Sequence, residues 1–217
     1  ACMSKIGIVI PTLNAGGQFH KLMEQIDSQT CHIAHKLVID SSSTDETRLI
    51  AEQHGFAVVV IPEEEFNHGK TRNQAFSYMK DRVDILIYIT QDVLFVDDFS
   101  LQYLVESLER HQQAGAAYGR QLPQPGASPG AQLQRMFNYP ADGCVKSFED
   151  RSRKGIKTAF LSNSFAAYQC SVLEAIGGFT EVVACEDMYA GAKMLLQGYT
   201  IVYEPAARVY HSHEYGW

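Results

Sequence analysis

The chain has 217 residues, 46% of them hydrophobic, and a formal net charge of −7. This length suits one domain that buries a core of its own. The acidic balance argues against a nucleic-acid-binding protein, which normally presents a basic face. The sequence shows neither an apolar run of membrane-spanning length nor a signal-peptide pattern, and its five scattered cysteines form no CxxC pair. We therefore expect a protein with free thiols in the reducing cytoplasm.

Strand and helix patterns alternate along the first half of the chain. Short apolar runs that end at proline or polar residues predict strands at 5–10, 36–40, 57–61 and 85–90. Helical spacing and capping residues predict helices after the turn at 14–17 and over 47–54 and 69–80. This rhythm predicts βαβ units with a mostly parallel sheet, whose ligands bind beyond the carboxyl ends of the strands.

The second half is less regular. It predicts a helix at 99–115, a strand at 117–121, a loop rich in Pro, Gly and Ala at 121–130, and no clear period over 138–157. Helices follow at 171–176 and 188–197, and two short strands at 200–203 and 208–210 close the pattern. No repeat and no linker divides the chain, so we expect a single domain.

A nucleotide site is indicated by two segments that follow predicted strands. The first, at 66–73, sets a glycine and Arg72 at the start of a helix, and the second ends a buried strand at Asp92. A cation at a helix start and a strand-end carboxylate suit a nucleotide diphosphate and its metal ion. The P-loop pattern fails because Glu64 stands where it requires glycine, and no GxGxxG follows the first strand. The usual ATP, GTP and dinucleotide fingerprints are therefore absent from the sequence.

Eight short motifs follow one another along the chain. They are Pro11-Thr12-Leu13-Asn14, Asp40-Ser41-Ser42-Ser43-Thr44-Asp45, Phe66 to Asn73, Thr90-Gln91-Asp92, Tyr118-Gly119-Arg120-Gln121, Gly177-Gly178-Phe179, Glu186-Asp187 and Val209-Tyr210-His211-Ser212-His213. Through them the chain resembles the inverting glycosyltransferases of family 2, and most of all their bacterial rhamnosyltransferase branch. The resemblance implies the GT-A fold, with a Rossmann-like sheet flanked by helices and a smaller acceptor-side subregion. Residues 1–98 would then bind the nucleotide, and residues 99–217 the acceptor.

The same resemblance implies a donor site. Its expected members are Pro11, Thr12, Asn14, Asp40, Ser42, Asp45, His68, Gly69, Arg72, Asn73, Thr90 and Gln91. Asp40 would accept a hydrogen bond from the base, and Arg72 would face the diphosphate or the base. Thr90 stands where the family usually has an Asp near the ribose hydroxyls, which favours a deoxyribose donor such as a dTDP-sugar. Alone, a strand-end Asp more often caps a loop, and a lone Arg on a helix is more often merely exposed.

The resemblance also implies a metal ion and a catalytic base. Asp92 and His211 would hold Mg²⁺ or Mn²⁺ together with phosphate oxygens. Asp187 would be the general base and Glu186 would position or support the acceptor, although an acidic pair at a helix start is more often a cap. Two further residues, Arg120 and Asn163, are expected on the acceptor side.

The sequence thus predicts an inverting transfer of L-rhamnose from dTDP-rhamnose to a glycan or lipid-linked acceptor in cell-surface polysaccharide synthesis. Three alternatives remain at this stage: a family-2 enzyme that uses a UDP-hexose, a nucleotidyltransferase, and a non-catalytic module that binds nucleotide sugars. The basic cluster Arg151, Arg153, Lys154 and Lys157 is expected to be a solvated loop. A contact between this cluster and a diphosphate-lipid acceptor, or the inner face of the cytoplasmic membrane, is the alternative.

Overall fold

The computed structural model describes residues 4–182 and 184–211. Within them the strands are β1 Ile6–Thr12, β2 His35–Asp40, β3 Ala57–Val60, β4 Ile85–Ile89, β5 Val93–Phe95, β6 Ala114–Pro123, β7 Cys144–Lys146, β8 Phe165–Gln169 and β9 Thr200–His211. The helices are α1 Gly17–Ser28, α2 Thr47–Gln53, α3 His68–Met79, α4 Ser100–Arg110, α5 Pro129–Asn138, α6 Arg151–Lys154, α7 Cys170–Ala175 and α8 Glu186–Leu196. Short 3₁₀ segments lie at Glu63–Glu65, Phe148–Asp150 and Gly155–Ala159.

All of these strands belong to one sheet, in the order β3-β2-β1-β4-β8-β6-β9-β5, with β7 also paired to β9. The first four strands of that order pair in parallel. From β4 onward the sheet is mixed, because β8 runs antiparallel to both β4 and β6, whereas β6 and β9 are parallel. The predicted α/β class is confirmed, and its parallel part coincides with the predicted nucleotide-binding half.

The core forms two apolar layers, one on each face of the sheet. Alternate residues along β4 enter opposite layers: Ile87 belongs to the layer covered by α1 and α4, and Tyr88 to the one covered by α3, α7 and α8. This follows from the alternation of side chains along a strand. Because both faces are covered, β1 and β4 consist of nearly continuous apolar residues.

Several predicted elements in the second half were wrong. The helix predicted at 99–115 ends at Arg110, and the alanine-rich residues after it begin β6. Alanine favours helices, but here pairing with β8 and β9 outweighs that small preference. The strands predicted at 200–203 and 208–210 are one strand, β9, interrupted only by a register shift against β6. The loop predicted at 121–130 contains the end of β6 and the start of α5.

The described part of the chain contains neither a disulfide nor a helix that could cross a membrane. Four of the five cysteines lie in it, and all four are free. No described helix is both long enough and apolar enough to span a bilayer.

Candidate active site

The topology gathers the predicted site residues at one edge of the sheet. The segments after β1, β2 and β4 meet there, since parallel strands share their carboxyl ends. A cavity of about 390 Å³ opens beside them. Seven of the predicted residues line this cavity, which we call the catalytic cavity after its predicted residues: His68, Arg72, Thr90, Asn163, Glu186, Asp187 and His211.

Asp92 and His211 come together because β5 pairs with the end of β9. Val93 lies opposite His211 in that antiparallel pair, which sets the preceding Asp92 beside the imidazole ring. Asp92 Oδ2 lies 3.0 Å from His211 Nε2. Two neighbouring ligands about 2.1 Å from a six-coordinate ion lie about 3 Å apart, so the spacing fits a divalent cation. Within the described residues no third His, Cys, Asp or Glu joins the pair.

Gln121 and Arg135 determine which ring nitrogen of His211 carries the hydrogen. Arg135 Nη1 donates to Gln121 Oε1, and Gln121 Nε2 donates to Ser162 Oγ at 2.8 Å. A guanidinium only donates hydrogen bonds, so the atom facing it is the amide oxygen. That oxygen also lies 2.8 Å from His211 Nδ1, which must therefore carry a hydrogen. In the neutral ring Nε2 then keeps its lone pair for a metal ion, as in many metal sites where the second nitrogen is hydrogen-bonded.

A buried ion pair joins the starts of α3 and α8. Arg72 Nη1 lies 3.1 Å from Glu186 Oε1, and the two side chains are only 4% and 6% exposed. Arg72 Nη1 also lies 3.2 Å from His68 Nδ1. Burial and the charge of Arg72 lower the pKa of His68, which keeps the ring neutral and able to accept this bond. Arg72 Nε is buried without a hydrogen-bond partner among the described residues, so the guanidinium retains a donor for a ligand.

Asn163 links Glu186 to Asp187. Its Nδ2 donates to Glu186 Oε1 at 3.0 Å, and its backbone N–H donates to Asp187 Oδ2 at 3.1 Å. The amide oxygen accepts from the hydroxyl of Tyr168, which fixes the orientation of the side chain. Burial and the nearby charge of Glu186 raise the pKa of Asp187 to about 6. A carboxylate with this pKa is a stronger base than an ordinary Asp and is still ionised at neutral pH.

The turn before α8 is strained. Cys185 adopts the left-handed conformation, with φ 64° and ψ 24°, and directly precedes Glu186 and Asp187. This conformation costs a residue other than glycine about 1–2 kcal/mol. The turn directs the first residues of α8 towards the cavity, where strain of this kind is common.

The predicted base-binding residue Asp40 is fully buried in this structure. Its Oδ1 accepts from Thr12 Oγ1 at 2.7 Å and from Ser43 Oγ, and its Oδ2 accepts from the Ser43 N–H. These bonds tie the loop after β2 to the end of β1. A base would reach Asp40 only if that loop moved, so the contact stays a prediction.

Other predicted donor residues also stabilise the loops at this edge. The Asn14 side chain accepts from the Thr44 N–H, and Asp45 accepts from the N–H groups of Gly16 and Thr47. The side-chain amide of Gln91 pairs with both backbone groups of Leu13. These contacts fix the shape of the loop edge. Pro11 continues β1, and the hydroxyl of Ser42 donates to the carbonyl of Ile61.

Gly69 and Asn73 hold a neighbouring loop and do not line the cavity. The Asn73 amide donates to the Phe179 carbonyl and accepts from the Phe179 N–H, both at 2.8 Å. A Cβ on Gly69 would lie 2.1 Å from the Thr180 carbonyl oxygen, so only glycine allows this close approach. In this structure both residues fix the loop at 179–180 against the start of α3, and their direct contact with the donor stays a prediction.

On β6 the neighbour of the predicted residue lines the cavity. Gln121 does so and is 2% exposed, whereas Arg120, the predicted acceptor-side residue, is outside the lining. Successive residues of a strand point to opposite faces of the sheet. Because the pairing of β6 with β9 shifts in register after Gly119, the sequence pattern does not show which residue of β6 faces the cavity. Arg135, which also lines the cavity, was not predicted as a site residue, because no helix was predicted at the position of α5. Ser212 and His213 of the last motif lie outside the described residues.

Comparisons with known proteins show the family to which the chain belongs. The model of the family described as glycosyl transferase family 2 matches residues 7–177. The O-antigen chain rhamnosyltransferase WbaN of Salmonella anatum is 41% identical over 215 residues, which cover 98% of this chain and 68% of that protein. The O-antigen chain rhamnosyltransferase RfbN of Salmonella typhimurium strain LT2 is 42% identical over 213 residues, with 97% and 67% covered. The chain thus spans about two thirds of the length of these relatives.

Solved structures show the same fold at low sequence identity. The mannosyltransferase PcManGT from Pyrobaculum calidifontis, in complex with GDP-Man and Mn²⁺, has a TM-score of 0.70 at 19% identity, with 98% of this chain and 58% of that chain covered. S. aureus TarS 1-349 in complex with UDP-GlcNAc has a TM-score of 0.73 at 19% identity, with 98% and 60% covered. At this identity the likeness concerns the fold alone.

Proposed function

The chain belongs to glycosyl transferase family 2, and we propose that it transfers L-rhamnose from dTDP-L-rhamnose, with inversion, to a hydroxyl group of a glycan or lipid-linked acceptor. Membership of the family makes it a glycosyltransferase, and its relatives named as O-antigen chain rhamnosyltransferases support a role in polysaccharide synthesis. The observation that carries the proposal is one cavity that combines a carboxylate whose pKa is raised, a buried arginine and a histidine that lies beside Asp92.

In this proposal Asp187 is the general base. It takes the proton of the acceptor hydroxyl as the oxygen attacks the anomeric carbon, and the bond from that carbon to the diphosphate breaks on the opposite side. A single displacement inverts the anomeric centre and needs one base but no enzyme nucleophile. Glu186 supports this step through its bonds to Arg72 and Asn163, which hold the start of α8 in place.

Arg72 and Thr90 are the proposed donor contacts. Arg72 and His68, both from the first turns of α3, line the catalytic cavity, and a guanidinium is suited to bind a diphosphate. Thr90 Oγ1 is also buried there and has no partner among the described residues. A threonine in place of the usual acidic residue supports a donor without a 2′-hydroxyl, and hence dTDP over UDP.

Asp92 and His211 would hold a divalent cation, Mg²⁺ or Mn²⁺. When bound, such a cation neutralises the charge that develops on the departing diphosphate. Their 3.0 Å separation and the orientation that Gln121 imposes on the ring support this assignment. The partners would be the nucleotide sugar and a glycan or lipid-linked acceptor, met in the cytoplasm or at the inner face of the cytoplasmic membrane, with no role for nucleic acid.

A donor screen tests the proposal. Metal-dependent hydrolysis or transfer is measured with dTDP-, UDP- and GDP-sugars, and we expect the highest kcat/KM with dTDP-rhamnose. Asp187→Asn should lower it at least about 100-fold, in line with about 10²–10⁴-fold for a general base. Asp92→Ala should also lower it strongly, because it removes a proposed ligand of the metal ion. Asp98→Asn is the matched control, since this exposed carboxylate lies outside the cavity. Full activity in Asp92→Ala would overturn the site assignment.

A thermal-shift comparison separates dTDP from UDP donors. With metal present, dTDP should raise the melting temperature more than UDP does. The reverse order would favour the alternative of a UDP-hexose donor and remove the argument from Thr90.

A further inference from the structure

Helix α5 carries its apolar side chains on the outside. Leu133, Met136 and Phe137 share one face at helical spacing and are 68%, 66% and 70% exposed. Arg135, by contrast, reaches inward to Gln121. A surface helix normally buries its apolar stripe and exposes its charges. The reversed arrangement leaves these three apolar side chains largely exposed.

A basic segment at residues 151–157 lies beside this face. It contains Arg151, Arg153, Lys154 and Lys157, together with Ile156, which is 79% exposed. Lys157 Nζ lies 3.3 Å from the ring centroid of Phe137, so the segment contacts α5 directly. One of the four cations, Arg153, is paired with Asp150.

Positive charge is concentrated in this region. Residues 129–157 contain six Lys and Arg against three Asp and Glu, a balance of +3. The whole chain has a balance of −7, so the other 188 residues carry −10. The exposed apolar face therefore lies in a stretch whose charge opposes that of the protein as a whole.

A second cavity, of about 370 Å³, opens between α5 and the basic segment. Its lining includes Phe137, Lys154, Lys157 and Tyr203, and none of its described lining residues is acidic. Asn138 and Phe160 line this cavity and also the catalytic cavity. A surface formed by α5 and the basic segment is thus adjacent to the site of transfer.

We propose that the exposed face of α5 and the basic segment together form a docking surface for an anionic lipid bilayer, with a lipid phosphate entering the second cavity. Exposed apolar side chains would enter the boundary between headgroups and acyl chains, and the neighbouring cations would contact phosphates, as in interfacial amphipathic helices. The proposal rests on the proposed function in one respect: the same bilayer would deliver a lipid-linked acceptor to the catalytic cavity.

Vesicle flotation tests the docking surface. The unmodified chain should float with phosphatidylcholine vesicles that contain phosphatidylglycerol and should float much less with phosphatidylcholine alone. Replacing both lysines, as Lys154→Gln with Lys157→Gln, should weaken the partition constant about 30-fold, at about fivefold for each cation near an anionic surface. Leu133→Ser with Met136→Ser removes two of the exposed apolar side chains and should abolish flotation. Thermal unfolding of each variant should show that its fold is intact.

Matched controls lie on other surfaces. Lys5→Gln with Lys21→Gln removes the same charge from exposed positions, and Leu49→Ser removes an exposed leucine of α2; both should float normally. Absence of flotation by the unmodified chain, or equal losses in variants and controls, would overturn the proposal. A dimer of the unmodified chain would also overturn the proposal if Leu133→Ser with Met136→Ser made it monomeric but left flotation unchanged. In that case a second copy of the chain, and not a bilayer, would cover the exposed face of α5.

The same variants separate this proposal from the proposed function. Metal-dependent donor hydrolysis without vesicles should be unchanged in the α5 and lysine variants, because none of these side chains is in the proposed catalytic machinery. If the unmodified chain floats but hydrolyses no nucleotide sugar, the proposed function fails and the docking surface stands.

Discussion

The buried pair of Arg72 and Glu186 provides the sharpest test of how the site is built. Their side chains are 4% and 6% exposed and lie 3.1 Å apart, so each charge depends on the other for compensation. Replacing Glu186 by Met leaves the guanidinium buried without a carboxylate and removes an acceptor from Asn163. Removing one partner of a buried pair typically costs about 3–5 kcal/mol of folding free energy. We expect Glu186→Met to destabilise the protein by about this amount.

The assay is urea unfolding of the two single variants and the double variant. Arg72→Met with Glu186→Met replaces both charges by apolar side chains and should be less destabilising than either single change, which gives a large coupling energy. Glu174→Gln is the control. It breaks the pair with Lys80, which has a similar separation of 3.0 Å but lies in solvent, and it should change stability far less. A loss below about 1 kcal/mol for Glu186→Met would refute the reasoning, because it would mean that water compensates Arg72.

Two further predictions concern the chemistry of the site. Asp187 must be ionised to act as a base, and burial and Glu186 raise its pKa to about 6. We therefore expect kcat/KM to fall about tenfold per pH unit below about pH 6 and to level off above it. A flat profile between about pH 5 and about pH 7 would exclude Asp187 as the base. Gln121→Leu removes the acceptor that orients His211, so Mn²⁺ affinity, measured by calorimetry in the presence of dTDP, should fall about 10–100-fold, the usual range for loss of such a bond. Gln132→Leu is its control on an exposed position of α5, and equal Mn²⁺ affinities in the two variants would show that Gln121 does not position the metal ligand.

The first half of the fold could be predicted from the sequence, and seven of the predicted site residues line the cavity. The parallel strands β1, β2 and β4 are covered on both faces, so each appears as an apolar run that alternates with a helix. Asp187 and Arg72 were predicted as site residues because the motifs that resemble the family contain them at fixed positions. The structure places both in the catalytic cavity.

Most of the second half of the sheet, and the residues that contact Asp92 and His211, could not be predicted from the sequence. Strand β6 is rich in small residues with helical preference, and its pairing with β8 and β9 overrides that preference. The resemblance indicated Arg120 as a site residue, whereas its neighbour on β6, Gln121, contacts His211. Asp92 lies beside His211 through a short antiparallel pairing across the chain. Local sequence patterns report which face of an element is buried, but long-range strand register determines which distant side chains meet.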